Sequence, residues 1–168
     1  MQQYNEAFFV DLGNIQNDDV YIQTRDRLIY CGMHGVFKHA ISKELNGHGD
    51  KFNDLCLAHM QLGKAFPDTG LILSMNAHIW GGVMPLARYG NEYQKSTWLI
   101  PSLSGEKITG QAITEPHAGS HIASLTTQAT MVNGGYILNG CKRYITNAPV
   151  ADWLIVYAKL EEAISAFI

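Results

Sequence analysis

Up to about residue 103 the apolar positions recur every three or four residues, and the runs are separated by polar or glycine-containing breaks, a helical grammar. Asn17-Asp18-Asp19 precedes residues 20–30, where Tyr21, Arg25 and Leu28 fall four and three apart. A helix capped by one of these short polar side chains is predicted there, broken by Gly32 and Gly35. Residues 46–50, Asn-Gly-His-Gly-Asp, read as a turn, with Asp50 as the cap of the next helix. In that helix Phe52, Leu55, Cys56, His59, Met60 and Gly63 make a stripe expected to face a core. Pro67-Asp68-Thr69-Gly70 ends it, and Asp68 or Thr69 starts a third helix over 71–88. That segment is apolar on more than one face, so it is the expected central buried helix, with Gly81-Gly82 and Pro85 disturbing its second half. Residues 91–100 read as a short amphipathic helix stopped by Pro101.

After Gly105 the grammar changes to extended chain rich in Thr and β-branched residues, over 108–113 and 124–132. Asn133-Gly134 signals a hairpin, because such a turn needs positive φ, and Asn139-Gly140 turns the chain again before a strand over 141–146. Residues 153–159 read as a strand buried on both faces, and 163–168 as the start of another. Helices first and strands afterwards predict an α+β chain. An all-α helical domain over 1–105 is expected to precede an antiparallel β-barrel or sandwich domain over 106–168. The last run, Ile164-Ser165-Ala166-Phe167-Ile168, is apolar, extended and without a turn, so the expectation is a β-domain cut part-way and a chain that is a fragment.

Composition narrows the class. Of 168 residues 46% are hydrophobic and only 16% charged, which excludes a disordered chain. Twelve Lys plus Arg against fifteen Asp plus Glu give −3, so no basic field invites nucleic acid. The low charge also points to apolar surface meant for something outside the chain. Cys31, Cys56 and Cys141 form no CxxC pair, which argues against a disulfide or zinc framework. The first 24 residues hold no Lys or Arg, unlike a secretory or transit signal, and the longest apolar stretch is interrupted by Ser74, Asn76 and His78. A cytoplasmic protein without a membrane span is expected.

Two segments concentrate chemistry-bearing residues. In Gly110-Gln111-Ala112-Ile113-Thr114-Glu115-Pro116-His117-Ala118-Gly119-Ser120-His121 a strand ends at Thr114, Pro116 forces a bend, and Gly119-Ser120 lets backbone N–H groups converge. Such a corner is either an ordinary strand-to-loop bend or a cradle for an anion or the edge of a planar heterocycle. In Tyr136-Ile137-Leu138-Asn139-Gly140-Cys141-Lys142-Arg143-Tyr144-Ile145-Thr146-Asn147, Tyr144 and Thr146 sit two apart on the expected strand and so share a face. They form either a packing pair or a stacking and hydrogen-bonding edge for a flat cofactor. His117 and His121, four apart, lack a third ligand in their loop, so no metal is expected.

Together the two segments resemble the flavin-binding signature of the acyl-CoA dehydrogenase family, TEPxAGSD followed by YxLNGxKxWITN. Gly90-Asn91-Glu92-Tyr93-Gln94-Lys95 and Leu99-Ile100-Pro101-Ser102-Leu103-Ser104-Gly105-Glu106 resemble the same family's helical domain. The resemblance implies FAD-dependent α,β-desaturation of an acyl thioester, in which a carboxylate removes the α-proton and flavin N5 takes the β-hydride. It implies that Thr114 and the backbone around Ile113 hold the pyrimidine edge. By the same resemblance Gly119 and Ser120 approach the ribityl-pyrophosphate, with Ser120 also near the substrate. Tyr144 would pack on the ring, and the Thr146 hydroxyl would approach N5. Electron-transfer flavoprotein or oxygen as acceptor and a homo-oligomer at full length are implied as well.

His121 stands where the family has Asp, and Tyr144 where it has Trp, which suggests a divergent branch acting on unusual or carrier-bound acyl groups. Gln111 puts a polar side chain near the expected flavin. The family's base is a Glu from a C-terminal bundle. None of Glu6, Glu44, Glu92, Glu106, Glu115, Glu161 and Glu162 matches it, so the isolated chain is expected to be inactive and to hold FAD weakly at best. Of the third helix, Asn76, His78 and Trp80 are the first candidates to border an acyl chain. An oxidase or monooxygenase on the same scaffold, and a non-catalytic binding or assembly module, are the alternatives.

Overall fold

The computed structural model describes residue 4, residues 6–39 and residues 41–168. Helix α1, Glu6–Asn14, is followed by α2, Val20–Met33, whose start is fixed as the sequence predicts: Asp19 accepts the N–H groups of Tyr21 and Ile22 at 2.8 and 3.3 Å. Asp50 does not cap α3, Phe52–Ala65. The cap position is Lys51, and Asp50 lies 2.6 Å from Nδ1 of the buried His39. The other ring nitrogen of His39 meets the Tyr4 hydroxyl at 2.7 Å. His39, His48 and Asp50 bring ligand-type atoms within 4.8 Å of one another, and these two hydrogen bonds already account for both nitrogens of His39.

Of the stripe expected on α3 only Leu55 is buried. Leu55, Ala58 and Leu62 face the core, while Phe52 and Met60 are 63% and 56% exposed. Both faces of this helix are apolar, so periodicity does not say which is inward. Helix α4, Thr69–His78, is capped by Asp68, which accepts the Leu71 N–H at 2.9 Å. It passes through a π-turn, Ile79–Val83, into α5, Met84–Tyr89. Asn91 caps α6, Glu92–Gln94, which likewise passes through a π-turn, Lys95–Leu99, into α7, Ile100–Leu103.

Pro101 therefore does not stop its helix. A proline inside a helix lacks an N–H, and its ring collides with the carbonyl four residues back. A widened turn just upstream displaces that carbonyl, and both Pro85 and Pro101 follow such a turn by two residues. The Thr97 carbonyl, freed by Pro101, accepts instead from Lys107 Nζ at 3.3 Å.

Five strands follow: β1 Thr109–Ala112, β2 Gln128–Val132, β3 Gly135–Asn139, β4 Trp153–Leu160 and β5 Ala163–Phe167. The segregation of helices and strands is as expected, but the sheet is open and mixed rather than purely antiparallel. β4 is its spine. β5 runs antiparallel along one side of it, and β1 and β2 both lie parallel to it on the other, beside residues 153–156 and 159–160. β2 and β3 form the expected hairpin, with Gly134 at φ +88° in its turn. The expected strand over 141–146 is absent: that stretch is irregular, with Tyr144 and Asn147 in the left-handed region at φ +57° and +69°.

Helices and sheet share their cores. Ile108 and Val150 pack with Phe8, Leu28, Phe37 and Met75, and Trp153 and Ile155 pack with Ile41, Val83, Leu99 and Leu103. Across the same seam Arg25 grips both carboxylate oxygens of Asp152 at 3.0 Å, and Asp152 accepts the Ile108 N–H at 2.7 Å. Among the described residues no helix is long and apolar enough to cross a membrane.

Candidate functional site

Because β1 and β2 lie along the same side of β4, residues 113–127 form an excursion that leaves the sheet and returns to it. An excursion of fifteen residues needs a tie to hold one shape. The tie is Glu115. Its N–H and carbonyl close a tight turn with Ala118, at 2.9 and 3.2 Å. Its buried carboxylate reaches the far end, accepting from Thr126 N and Oγ1 at 2.6 and 2.7 Å, from Thr127 N at 2.9 Å and from the Thr127 hydroxyl. A fifth donor, Lys142 Nζ at 2.8 Å, comes from the second sequence segment. Burial pushes the Glu115 carboxyl up, but the Lys142, Thr127 and Thr126 donors outweigh it and hold the group well below the usual carboxylate range.

The two segments are bound to each other by backbone as well. Lys142 Nζ also donates to the Ile113 carbonyl at 3.0 Å, and the Arg143 N–H donates to the Thr114 carbonyl at 2.8 Å. Gly140 is required where the second segment crosses Thr127, since a Cβ there would come within 2.7 Å of the Thr127 backbone. Beyond the irregular turn, Asn147 Nδ2 donates to the carbonyls of Ser74 and Thr109 at 2.8 and 3.0 Å, tying the segment to α4 and β1. Tyr144 and Thr146 are thus brought together by a left-handed turn and not by strand alternation.

These ties leave a pocket of about 270 Å³, bounded by Ile113, Thr114, Gly119, Tyr144 and Thr146 on the β side and by Ala77 and Gln111 toward the helices. Five of the six residues singled out in the sequence lie around it. The sixth, Ser120, is exposed beside Gly119 but does not line the wall. Among the described residues the hydroxyls of Thr114 and Thr146 and the carboxamide of Gln111 have no protein partner. The two unspent hydroxyls beside an aromatic ring that is 77% exposed suit a flat heterocycle with a polar edge, and the carboxamide lies on the side toward Gly81. The volume, just below the roughly 300–1,000 Å³ usual for ligand pockets, suits a ring system and not a whole dinucleotide. Arg143 lies over the Tyr144 ring at 4.5 Å, and no residue lining the pocket carries a carboxylate. A larger cavity, about 520 Å³ beside Lys38, Lys43 and Pro101, contains no residue of either segment.

The helical wall differs from the sequence expectation. His78 does not border the pocket. It is fully buried, with Nε2–H donating to the Ser102 carbonyl at 3.0 Å and Nδ1 accepting the Thr109 N–H at 3.1 Å. Burial pushes its pKa down to about 4, so it is a neutral strut between α7 and β1. Asn76 and Trp80 are paired with each other at 3.0 Å, and it is Ala77 that reaches the pocket. The π-turn brings Gly82 against Thr109 and Gly81 against Gln111, so the glycines let β1 approach. Ala77 and Ile122 carry no chemical signal that sequence reading could use.

Comparison with known proteins agrees with this geometry. The family profiles described as acyl-CoA dehydrogenase N-terminal domain and middle domain match residues 15–106 and 110–168. The chain belongs to the acyl-CoA dehydrogenase family. Among its curated family relatives, an L-prolyl-[peptidyl-carrier protein] dehydrogenase of Serratia is 45% identical over 106 residues, covering 63% of this chain and 28% of the relative. An acyl-CoA dehydrogenase of Bacillus subtilis is 35% identical over 142 residues, covering 82% and 37%. The solved family structure titled "PigA with FAD and proline" superposes with a TM-score of 0.83 at 33% identity, covering 96% of this chain and 45% of that one. The chain therefore spans well under two thirds of the length of these family members.

Proposed function

We propose that these residues form the flavin-facing part of an FAD-dependent dehydrogenase that introduces an α,β double bond into an acyl thioester. The observation that carries this reading is the convergence of the unpaired Thr114 and Thr146 hydroxyls beside the Tyr144 ring, on loops locked together by Glu115 and Lys142. When bound, FAD supplies a two-electron acceptor for the substrate hydride. Thr114 and the backbone at Ile113 would hold the polar edge of its ring, and Tyr144 would cover a face. The Thr146 hydroxyl would donate where negative charge develops on hydride acceptance. Gly119, around which a Cβ would meet nothing within 4 Å, leaves room for the phosphate-bearing tail, with Ser120 next to it. On this reading residues 1–105 and 106–168 are the N-terminal and middle domains, and proton removal falls to a carboxylate outside the pocket lining.

The test uses the protein produced from its natural reading frame. FAD is expected to bind one per chain, and anaerobic addition of a substrate thioester is expected to bleach the flavin absorbance. Failure to retain FAD, or retention without bleaching by any thioester, overturns the reading. Oxygen uptake on readmitting air separates an oxidase from an enzyme that passes electrons to an electron-transfer flavoprotein.

A second reading concerns the thioester carrier. The 45% identity to a dehydrogenase of carrier-bound prolyl groups favours an acyl group presented on a carrier protein over one on CoA. Comparing the two thioesters of one acyl group in the same bleaching assay decides between them.

A further inference from the structure

The flavin reading accounts for the Thr114, Tyr144 and Thr146 side of the pocket and leaves over the side where β1 meets the helices. Hydride transfer requires the acyl β-carbon to lie against the ring, so the acyl group occupies the space between the ring and the wall that the ring does not use. That wall is Ala77 and Gln111. Ala77 offers a methyl group. Gln111 offers a carboxamide, two donors and an acceptor, exposed and without a protein partner among the described residues. Its stem is set by a specific neighbour: a Cβ on Gly81 would stand 3.1 Å from Gln111 Cγ and 3.2 Å from its backbone nitrogen. A side chain at 81 would crowd Gln111, which would have to give by a few tenths of an ångström.

A wall built for a hydrocarbon chain gains nothing from an unpaired carboxamide, which has to be stripped of water when the substrate enters. The same carboxamide is favourable against a substrate that carries its own N–H or hydroxyl. We propose that Gln111 is the specificity-determining residue of this site and that it selects short acyl groups bearing a hydrogen-bonding heteroatom, an aminoacyl group above all, over plain aliphatic ones. This inference rests on the flavin reading. Gln111 Oε1 accepts from the substrate N–H, and Gly81 leaves Gln111 uncrowded as it does so.

The test compares two thioethers of N-acetylcysteamine that differ in one ring atom, the pyrrolidin-2-ylmethyl and the cyclopentylmethyl compounds. Neither has a thioester carbonyl to acidify an α-proton, so neither is desaturated, and binding is read from the shift in flavin absorbance of the FAD-loaded protein. The pyrrolidine compound is expected to bind at least about tenfold more tightly, the scale of one hydrogen bond to a charged group. Gln111→Leu is expected to bring the ratio to near one with FAD affinity unchanged within about threefold, and Gln111→Glu to keep the preference. Gly81→Ala is expected to reduce the preference with Gln111 still present. Equal binding of the two compounds to the wild-type protein overturns the proposal, as does a preference that survives Gln111→Leu. Loss of FAD affinity in Gln111→Leu also overturns it, by assigning the residue to the ring. A wild-type protein that takes up no FAD fails at the earlier titration and removes the flavin reading and this inference together.

Discussion

Replacing Glu115 by Gln tests the idea that one buried carboxylate shapes the whole pocket. The substitution keeps the volume and removes the charge. Five donors converge on that carboxylate, and a Gln amide presents an NH₂ group to some of them. Lys142, whose side chain is 12% exposed, would lose its counter-charge and keep only neutral oxygens, the Gln amide and the Ile113 carbonyl, as partners. Breaking a buried ion pair from one side costs about 3–5 kcal/mol, because an uncompensated charge stays behind. Against a total stability of about 5–15 kcal/mol for a domain, that is a large fraction. Urea denaturation of the two proteins, at equal m, is expected to show a loss of about 3 kcal/mol or more. Glu106→Gln, at an exposed position without a hydrogen bond in the structure, serves as control and is expected to change stability by less than about 0.5 kcal/mol. A loss below about 1 kcal/mol for Glu115→Gln refutes the reasoning.

The pH dependence gives the same prediction a second edge. Donors hold the folded carboxyl of Glu115 below its unfolded value, so the unfolded chain binds this proton first as pH falls. The stabilisation is fully present above about pH 4.3, the ordinary Glu value, and drains away below it. Glu115→Gln has no such proton to bind, so the difference between the two proteins is expected to be constant above that pH and to shrink below it. A difference that grows toward acid contradicts the assignment.

His78 titrates in the opposite chemical sense with the same direction of effect. Burial lowers its folded pKa to about 4, so protonation of the unfolded chain below about 6.5 costs stability down to pH 4, at most about 3 kcal/mol, and His78→Gln should flatten that slope in pH-dependent denaturation. Gly32→Ala places a Cβ 2.4 Å from the Gly105 Cα, a backbone collision expected to cost about 1–3 kcal/mol and lower Tm by several degrees in a thermal melt. Tyr144→Gly relieves a left-handed residue worth roughly 1 kcal/mol, so stability is expected to hold or rise in urea while FAD affinity falls about tenfold in a fluorescence titration.

The fold was legible where a local cause sets it. Asp19 and Asp68 are short acceptors ahead of apolar runs, and Asn133-Gly134 is a turn that needs positive φ; all three act as the pattern implies. What failed needed knowledge of neighbours. Asp50 is as good a cap as Asp68, but His39, eleven residues earlier, takes it. Pro101 is a helix breaker unless the preceding turn widens, which the sequence does not announce. The parallel pairing of β1 and β2 with β4 joins residues more than thirty apart, beyond any periodicity. In the site, the grouping of Tyr144 with Thr146 was legible only through the motif. The reason offered by strand alternation was wrong, and a turn at φ +57° achieves the same juxtaposition.

Burial sorts the motif residues into two kinds that the sequence writes alike. Glu115, Ala118 and Asn147 are buried, and the Glu115 carboxylate, the Asn147 Nδ2 and the half-buried Lys142 ammonium are spent on other parts of the chain. Gly119, Ser120, Tyr144 and Gln111 are exposed, and none of their polar side-chain atoms has a protein hydrogen bond among the described residues. Unpaired buried polar groups are costly, so a fold keeps free hydrogen-bonding side chains at an open pocket only where a ligand or water completes them. The first kind explains why the loops hold one shape, and the second what that shape is held for. A substitution in the first kind should therefore change stability and ligand affinity together, whereas one in the second should change affinity alone. Glu115→Gln and Gln111→Leu are the paired test of that division. If both lowered stability, or if both left it unchanged, burial would not be the property that separates scaffold from site in this motif.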